Sequence, residues 1–115
     1  MERRLRVRRS REVQHIYEEG HSWSHPLLVL VVRPNGLDVT RMAFAAGRSV
    51  GKAVARNRAK RLMREAARHL YPQIRAGWDI LLIARARIAE AKETQVEEAL
   101  RLLLQQAQLT EPGVQ

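Results

Sequence analysis

Cysteine is absent from this chain of 115 residues, and aromatic residues make up only 4% of it. Without cysteine the protein has neither disulfide bridges nor thiolate metal ligands, and a cysteine nucleophile is excluded. No apolar run approaches the ~20 residues that a helix needs to cross a bilayer. Carboxylates do not pair at a suggestive spacing, and no glycine-rich phosphate loop is present. The sequence therefore offers no enzyme active site of its own.

Positive charge is what the chain has in excess: 21 Lys and Arg against 12 Asp and Glu, a formal net charge of +9. Such a balance indicates a nucleic-acid partner or an anionic membrane surface. No signal-peptide core follows the basic N-terminus, so we expect a soluble cytoplasmic protein with no membrane partner. The length predicts one domain over 1–115, with a basic tail over about 1–9 and a frayed tail over about 109–115.

The charge is distributed unevenly along the chain. Arginines crowd residues 3–11, and a second basic region covers residues 41–75. Acidic residues return only in the last third, where several glutamates accompany the remaining basic residues. We therefore expect a polyanionic partner to contact the N-terminal tail and the centre of the chain, and to avoid the C-terminal helix.

The centre of the chain, residues 51–68, predicts an amphipathic helix. At about 100° per residue one face is apolar, formed by Ala55, Ala59, Leu62, Met63, Ala66 and Leu70. The opposite face carries a basic stripe, formed by Asn57, Arg61, Arg64 and Arg68 with Lys60 beside it and Arg56 and Arg58 flanking it. A merely solvated charged face would mix glutamate with arginine at i,i+4. Glu65 is the one acid here, so the pattern favours a phosphate backbone as partner.

Predicted helices and strands follow one another along the rest of the chain. We predict a helix over 10–19 that ends at Gly20, strands over 27–32, 39–46 and 79–84, and a helix to about 107 begun by a capping box of Thr94 and Glu97. A short extra strand could lie near Ser22 and Trp23. The order α-β-β-α-β-α indicates a small two-layer α/β (α+β) sandwich. The strands before and after the basic helix could pair in parallel through a βαβ crossover.

The basic helix also resembles a known family signature. Its segments Gly51-Lys52-Ala53-Val54, Arg56-Asn57-Arg58, Lys60-Arg61 and Arg64 match the arginine-rich motif of the bacterial ribonuclease P protein component without a gap. The resemblance extends over roughly residues 4–106. It implies the small basic subunit of a ribonucleoprotein endonuclease that removes 5′ leaders from precursor tRNA. In that enzyme the RNA performs the hydrolysis with Mg²⁺, and the βαβ crossover is left-handed.

The same resemblance implies two RNA-binding surfaces and two RNA partners. Contacts to the ribonuclease P RNA are expected from the basic helix and the loop before it, at Arg48, Lys52, Arg56, Asn57, Arg58, Lys60, Arg61, Arg64 and Arg68. A cleft between the first helix and the sheet is expected to hold the leader of precursor tRNA, at Val13, Tyr17 and Val31. Val13 stands where the family often has Phe, and Gly47-Arg48-Ser49 replaces Ser-Lys-Lys. The protein itself is expected to bind no cofactor and to need no protein partner.

Other interpretations of these features remain open. The composition also suits a ribosomal-type protein that binds structured RNA without a reaction, or a DNA-binding helix in a major groove. Tyr17 and Val13 could pack in the core rather than contact RNA, and the N-terminal arginines could form a disordered tail. His21 and His25 have the i,i+4 spacing of metal ligands on a helix, although Pro26 opposes a helix there.

Overall fold

The computed structural model describes residues 2–111. It contains three helices: α1 at Ser10–Glu19, α2 at Ala53–Leu70 and α3 at Glu93–Gln106. Four strands accompany them: β1 at His21–Ser24, β2 at Leu28–Pro34, β3 at Arg41–Ala45 and β4 at Trp78–Ala84. Short 3₁₀ turns lie at Arg3–Leu5, Tyr71–Gln73 and Ala86–Glu90. The predicted order of helices and strands is confirmed, and the extra strand near Trp23 is β1.

The four strands form one sheet in the order β1-β2-β4-β3. β1 pairs with β2 and β2 with β4 in antiparallel fashion, whereas β3 and β4 run parallel. The parallel pair is joined by α2, so the predicted βαβ crossover is present. Its left hand stays a prediction. β4 is central and buried on both faces, which explains its uninterrupted apolar run Ile80-Leu81-Leu82-Ile83.

The main core lies between one face of the sheet and helices α2 and α3. Alternate strand residues point into it, among them Leu30, Met42 and Leu82, each fully buried. The apolar face predicted for α2 packs here, with Ala59, Leu62, Met63, Ala66 and Leu70 all buried. The basic face of α2 is consequently turned away from the sheet.

Helix α1 lies on the opposite face of the sheet, so helices cover both sides. Its Ile16 is fully buried against a second cluster formed by Val7, Val31, Ala43 and Leu81. Gly20 ends α1 where the chain passes close to β2. A Cβ there would stand 2.6 Å from the carbonyl oxygen of Ile16 and 2.7 Å from Cγ1 of Val31. Glycine is therefore required at this position by space rather than by its φ angle.

Parts of both predicted tails pack against the rest of the protein. Leu5 and Val7 are buried, and the Val7 amide donates to the carbonyl of Met42 at 2.8 Å. At the other end Leu109 is 1% exposed and its carbonyl accepts from the Arg75 amide at 2.8 Å. Within the predicted tails of 1–9 and 109–115, the described residues Leu5, Val7 and Leu109 therefore belong to the core. Residue 1 and residues 112–115 lie outside the described part.

The start of α3 is also corrected. The helix begins at Glu93, one residue before the predicted cap, and Oε1 of Gln95 accepts a hydrogen bond from the Lys92 amide at 2.9 Å. The predicted capping box of Thr94 and Glu97 is therefore wrong. Glu97 instead faces α2, where its Oε1 lies 2.8 Å from Nδ1 of His69.

Candidate nucleic-acid interface

The basic stripe of α2 faces away from the core, as predicted. Asn57 and Arg61 are exposed, and Arg56, Lys60 and Arg64 are partly exposed. None of these four cations forms an ion pair with a carboxylate of residues 2–111, although ten such pairs exist elsewhere in that range. Their donors are therefore available to an external anion, and arginine pairs with phosphate through two parallel hydrogen bonds.

The N-terminus of α2 adds a second source of positive potential. Gly51 turns the chain into the helix with a φ of 141°, which favours glycine. The N-cap residue, Lys52, makes no side-chain cap hydrogen bond, and the first turn contains no acid. Free amide donors and the positive end of the helix dipole thus coincide with Lys52 and Arg56, and Arg48 lines the same concavity. Such an end favours a bound anion.

Arg58 belongs to the predicted RNA-binding set, but it is engaged inside the protein. Its two terminal nitrogens donate to the carbonyls of Ala89 at 3.1 Å and Ala91 at 2.8 Å. These carbonyls lie at the end of the 3₁₀ turn Ala86–Glu90. These hydrogen bonds hold the turn against α2, so two of the donors of Arg58 already have acceptors within the protein.

Arg68 is also less available than the sequence indicates. It forms an ion pair and two hydrogen bonds with Glu65 one turn earlier. Hydrogen bonding by Arg68 lowers the pKa of Glu65, so this carboxylate is charged at neutral pH. His69 lies between Glu65 and Glu97 rather than free on the surface. The open part of the stripe therefore runs from Lys52 to Arg64, and the end beyond it is partly neutralised.

A second surface lies beside α1 on the other face of the sheet. Tyr17 is 60% exposed and Val13 is half-buried, whereas Ile16 between them is fully buried. Val31 was expected to line this cleft, but it is 3% exposed because it pairs with Leu81 directly beneath α1. Val31 is thus corrected to a core residue.

The next row of the sheet supplies the open floor of this cleft. Val29, Ile83 and Ala45 are adjacent across three strands, point to the same face as Val31, and are half-buried. Sequence reasoning missed them, since strand register cannot be read from the pattern of any single strand. Arg85 comes two residues after Ile83, so the alternation of the strand places it on the same face. It is exposed and lines a concavity together with His25 and Arg87.

Ion pairs hold the other side of α1. At about 100° per residue, Glu12 and Glu19 lie across the helix from Val13 and Tyr17. Glu12 pairs with Arg41 at 3.3 Å and Glu19 with Arg33 at 3.5 Å.

Arg41 also donates to both carboxylate oxygens of the buried Asp79, at 2.9 and 2.8 Å. Hydrogen bonding to Asp79 raises the pKa of Arg41, so its guanidinium stays charged. These contacts fix α1 at one end of the sheet, so the helix does not cover the row formed by Val29, Ile83 and Ala45.

The two histidines considered as metal ligands lie in different local structures. His21 lies in β1, and Nδ1 of His25 accepts from the Leu27 amide at 3.0 Å in the turn before β2. Over residues 2–111 no group of three or more His, Asp or Glu is arranged to hold a metal ion. None of the helices in that range combines the length and apolar composition of a membrane-spanning segment.

Comparison with known proteins decides between the RNA-binding classes. A model of the ribonuclease P protein family matches residues 1–108. The chain belongs to this family. The ribonuclease P protein component of Herpetosiphon aurantiacus is 47% identical over 109 residues, which cover 95% of this chain and 89% of that protein.

Solved structures of ribonuclease P proteins have a fold similar to that of this chain. That of Staphylococcus aureus has a TM-score of 0.83 and 28% identity, covering 93% of this chain and 98% of its own. That of Thermotoga maritima has a TM-score of 0.78 and 34% identity, covering 87% and 96%. The resemblance drawn from the motif of α2 is confirmed, and the shared fold extends well beyond that motif.

Proposed function

We propose that this chain is the RNA-binding protein subunit of ribonuclease P, the ribonucleoprotein endonuclease that removes the 5′ leader from precursor tRNA. Family membership carries the assignment, and the open stripe of α2 is the observation that gives it a physical basis. Its partners are the ribonuclease P RNA and precursor tRNA. Because both are made and matured in the bacterial cytoplasm, we propose that the protein acts there.

Helix α2 is the proposed contact with the ribonuclease P RNA. Four cations without an ion-pair partner in residues 2–111 share one side of the helix with Asn57, and the uncapped amide groups of its first turn lie at one end. Arginine donors suit phosphate oxygens, whereas the amide of Asn57 both donates and accepts, which suits a 2′-hydroxyl or a base edge. Val54, which is 83% exposed, offers an apolar contact beside them.

The cleft beside α1 is the proposed site for the single-stranded leader. Bases of a single strand bind by stacking on aromatic or apolar side chains, while cations follow the backbone. Tyr17 and Val13 on the helix and Val29 and Ile83 on the sheet provide the apolar surface. Arg85, at the end of β4, provides a cation where a strand leaving this floor would pass.

The chemistry is proposed to reside in the RNA. The residues of this chain bind and orient the two RNA molecules, and the RNA component performs phosphodiester hydrolysis with Mg²⁺. Counterion release on binding α2 favours association of the two large polyanions at moderate salt. The protein would thereby reduce the Mg²⁺ concentration that the holoenzyme needs.

Replacing Arg61 with alanine tests the RNA face. Arg61 is exposed and forms no ion pair within the described part of the chain, so Arg61→Ala should leave the fold intact and weaken affinity for the ribonuclease P RNA by about 5- to 30-fold. The slope of log affinity against log salt should fall by about one. Arg101→Ala removes the same charge from α3, where Arg101 pairs with Glu97 and Glu98. It should change affinity less than about 2-fold, as measured by filter binding, and equal losses in both variants would contradict the assignment of α2.

Replacing Tyr17 tests the leader cleft. Tyr17→Ala removes an exposed ring that does not fill the core, and loss of one base stack corresponds to about 1–3 kcal/mol. We expect the holoenzyme to lose affinity for precursor tRNA by about 5- to 100-fold and to retain its affinity for mature tRNA. An equal loss for both RNA molecules would show that Tyr17 does not act on the leader.

A further inference from the structure

The N-terminal segment before α1 places two arginines on the α2 side of the molecule. Residues 5–8 alternate apolar and basic, and Leu5 and Val7 are buried while Arg6 and Arg8 are not. Arg6 bridges to Met42 on the free edge of β3, so this short extended piece continues the sheet by one position. Since Val7 joins the cluster under α1, Arg6 and Arg8 point to the face that carries α2.

The surroundings of Arg6 are unfavourable for a cation in the free protein. Its guanidinium lies 5.9 Å from the centre of the Phe44 ring, and its Nε is buried with no hydrogen-bond partner among the described residues. Burial and the charges of Arg8 and Arg64 lower the pKa of Arg6. None of the three arginines forms an ion pair with a carboxylate of residues 2–111.

The charge of Arg6 lies near enough to those of Arg8 and Arg64 to be affected by them, and none of the three pairs with a carboxylate of residues 2–111, so this arrangement costs stability. Like charges repel, and a buried donor without an acceptor loses the hydrogen bonds it makes with water. A phosphate group offsets both effects, since its oxygens accept from several guanidiniums and its charge cancels theirs. The cation–π contact with Phe44 holds Arg6 in place in the meantime.

We propose that Arg6, Arg8 and Arg64 together bind one phosphodiester group of the ribonuclease P RNA, at a site between the N-terminal segment and α2. The identity of the RNA rests on the function proposed above. The site lies on the α2 side of the sheet, whereas the cleft for the leader lies beside α1 on the other side, so the catalytic RNA and not the leader is its ligand. Arg6 and Arg8 then form a second row of the RNA interface, whereas Arg3, at the start of the segment, lies outside the proposed site.

Arg6→Met is the variant that tests this site. Methionine keeps an unbranched stem beside Phe44 and removes the charge and the unsatisfied donor. Arg3→Met is the matched control, because Arg3 lies in the same segment, is exposed and carries the same charge. We expect Arg6→Met to weaken binding of the ribonuclease P RNA by about 10-fold and Arg3→Met by less than about 2-fold.

Thermal unfolding of the free protein separates a binding role from a structural one. Relief of the repulsion should leave the Tm of Arg6→Met equal to that of the unaltered protein or above it, while RNA affinity falls. A lower Tm with unchanged affinity would overturn the proposal, as would equal affinity losses in Arg6→Met and Arg3→Met. If Arg61→Ala weakens binding and Arg6→Met does not, this site fails while the proposed function stands; if neither does, both fail.

A double-variant cycle tests whether one phosphate is shared. When two arginines hold the same group, removing the second costs less than removing the first. The combination of Arg6→Met with Arg64→Met should therefore lose clearly less affinity than the product of the two single losses. Fully multiplicative losses would place the two residues on separate phosphates and contradict the shared site. Affinity for precursor tRNA without the ribonuclease P RNA should change little, and a selective loss there would assign the site to the substrate instead.

Discussion

Arg56, Arg58 and Arg61 stand within six residues of one another on α2, yet they have different surroundings. Arg58 donates to two backbone carbonyls near the end of the turn Ala86–Glu90, whereas Arg56 and Arg61 form no ion pair within residues 2–111. The arginines of the motif that identifies the family are therefore not equally available to an external anion. One of its arginines positions the chain that follows β4, including exposed Arg85 and Arg87.

Arg58→Ala should consequently act on stability more than on RNA contact. Loss of two hydrogen bonds from a charged group should lower the free energy of unfolding by about 1–3 kcal/mol, whereas Arg61→Ala should change it by less than about 0.5 kcal/mol. Urea unfolding of both variants measures the difference. The salt slope of RNA affinity should stay unchanged in Arg58→Ala, since no phosphate contact is removed. Unchanged stability with a reduced slope would instead make Arg58 an RNA ligand.

At the N-terminus of helix α2, the residues that would stabilise the helix differ from those that would favour RNA binding. A helix N-terminus is stabilised by Ser, Thr, Asp or Asn at the N-cap and by acids in the first turn. This helix has Lys52 at the N-cap, no side-chain cap and no acid in its first turn. Such an end is poor for the isolated protein and suited to a polyanion, as expected where function opposes local stability.

Lys52→Ser tests that conflict. Serine supplies the missing cap, so the free energy of unfolding should rise by about 1 kcal/mol while affinity for the ribonuclease P RNA falls several-fold. Lys92→Ser is the control, since Lys92 is the N-cap of α3 on the acidic side of the molecule. It should stabilise by a similar amount and leave affinity unchanged. If Lys52→Ser bound RNA as well as the unaltered chain, the N-terminus of α2 would lie outside the interface.

The helices and strands differ in how far their buried and exposed residues could be predicted from the sequence. The apolar face of α2 was predictable residue by residue because one helix encodes its own periodicity, and β4 was predictable from a short, uninterrupted apolar run. The residues that line the proposed leader cleft were not predictable in this way. Val31 and Val29 are both apolar strand residues of β2, and only the placement of α1 over the row of Leu81 decides which of them is covered. The roles of Arg58 and Arg6 likewise depend on carbonyls and a ring distant in sequence.

Across the whole molecule the sheet separates the two surfaces proposed to bind RNA. The stripe of α2 faces outward from one side, and the cleft beside α1 lies on the other. Glutamates concentrate around α3, where Glu97 and Glu98 pair with Arg101. Because that region repels phosphate, it restricts the orientations in which the protein can approach a polyanion. A rigid sheet between the two surfaces can thus set the distance between the catalytic RNA and the leader.

Reconstitution of the holoenzyme tests this account most directly. The chain is mixed with ribonuclease P RNA from its own organism, and cleavage of precursor tRNA is followed at low Mg²⁺. We predict strong stimulation with correct 5′ ends and no cleavage when either component is omitted. Binding without stimulation would reduce the protein to a structural RNA-binding protein, and cleavage by the protein alone would contradict the placement of the chemistry in the RNA.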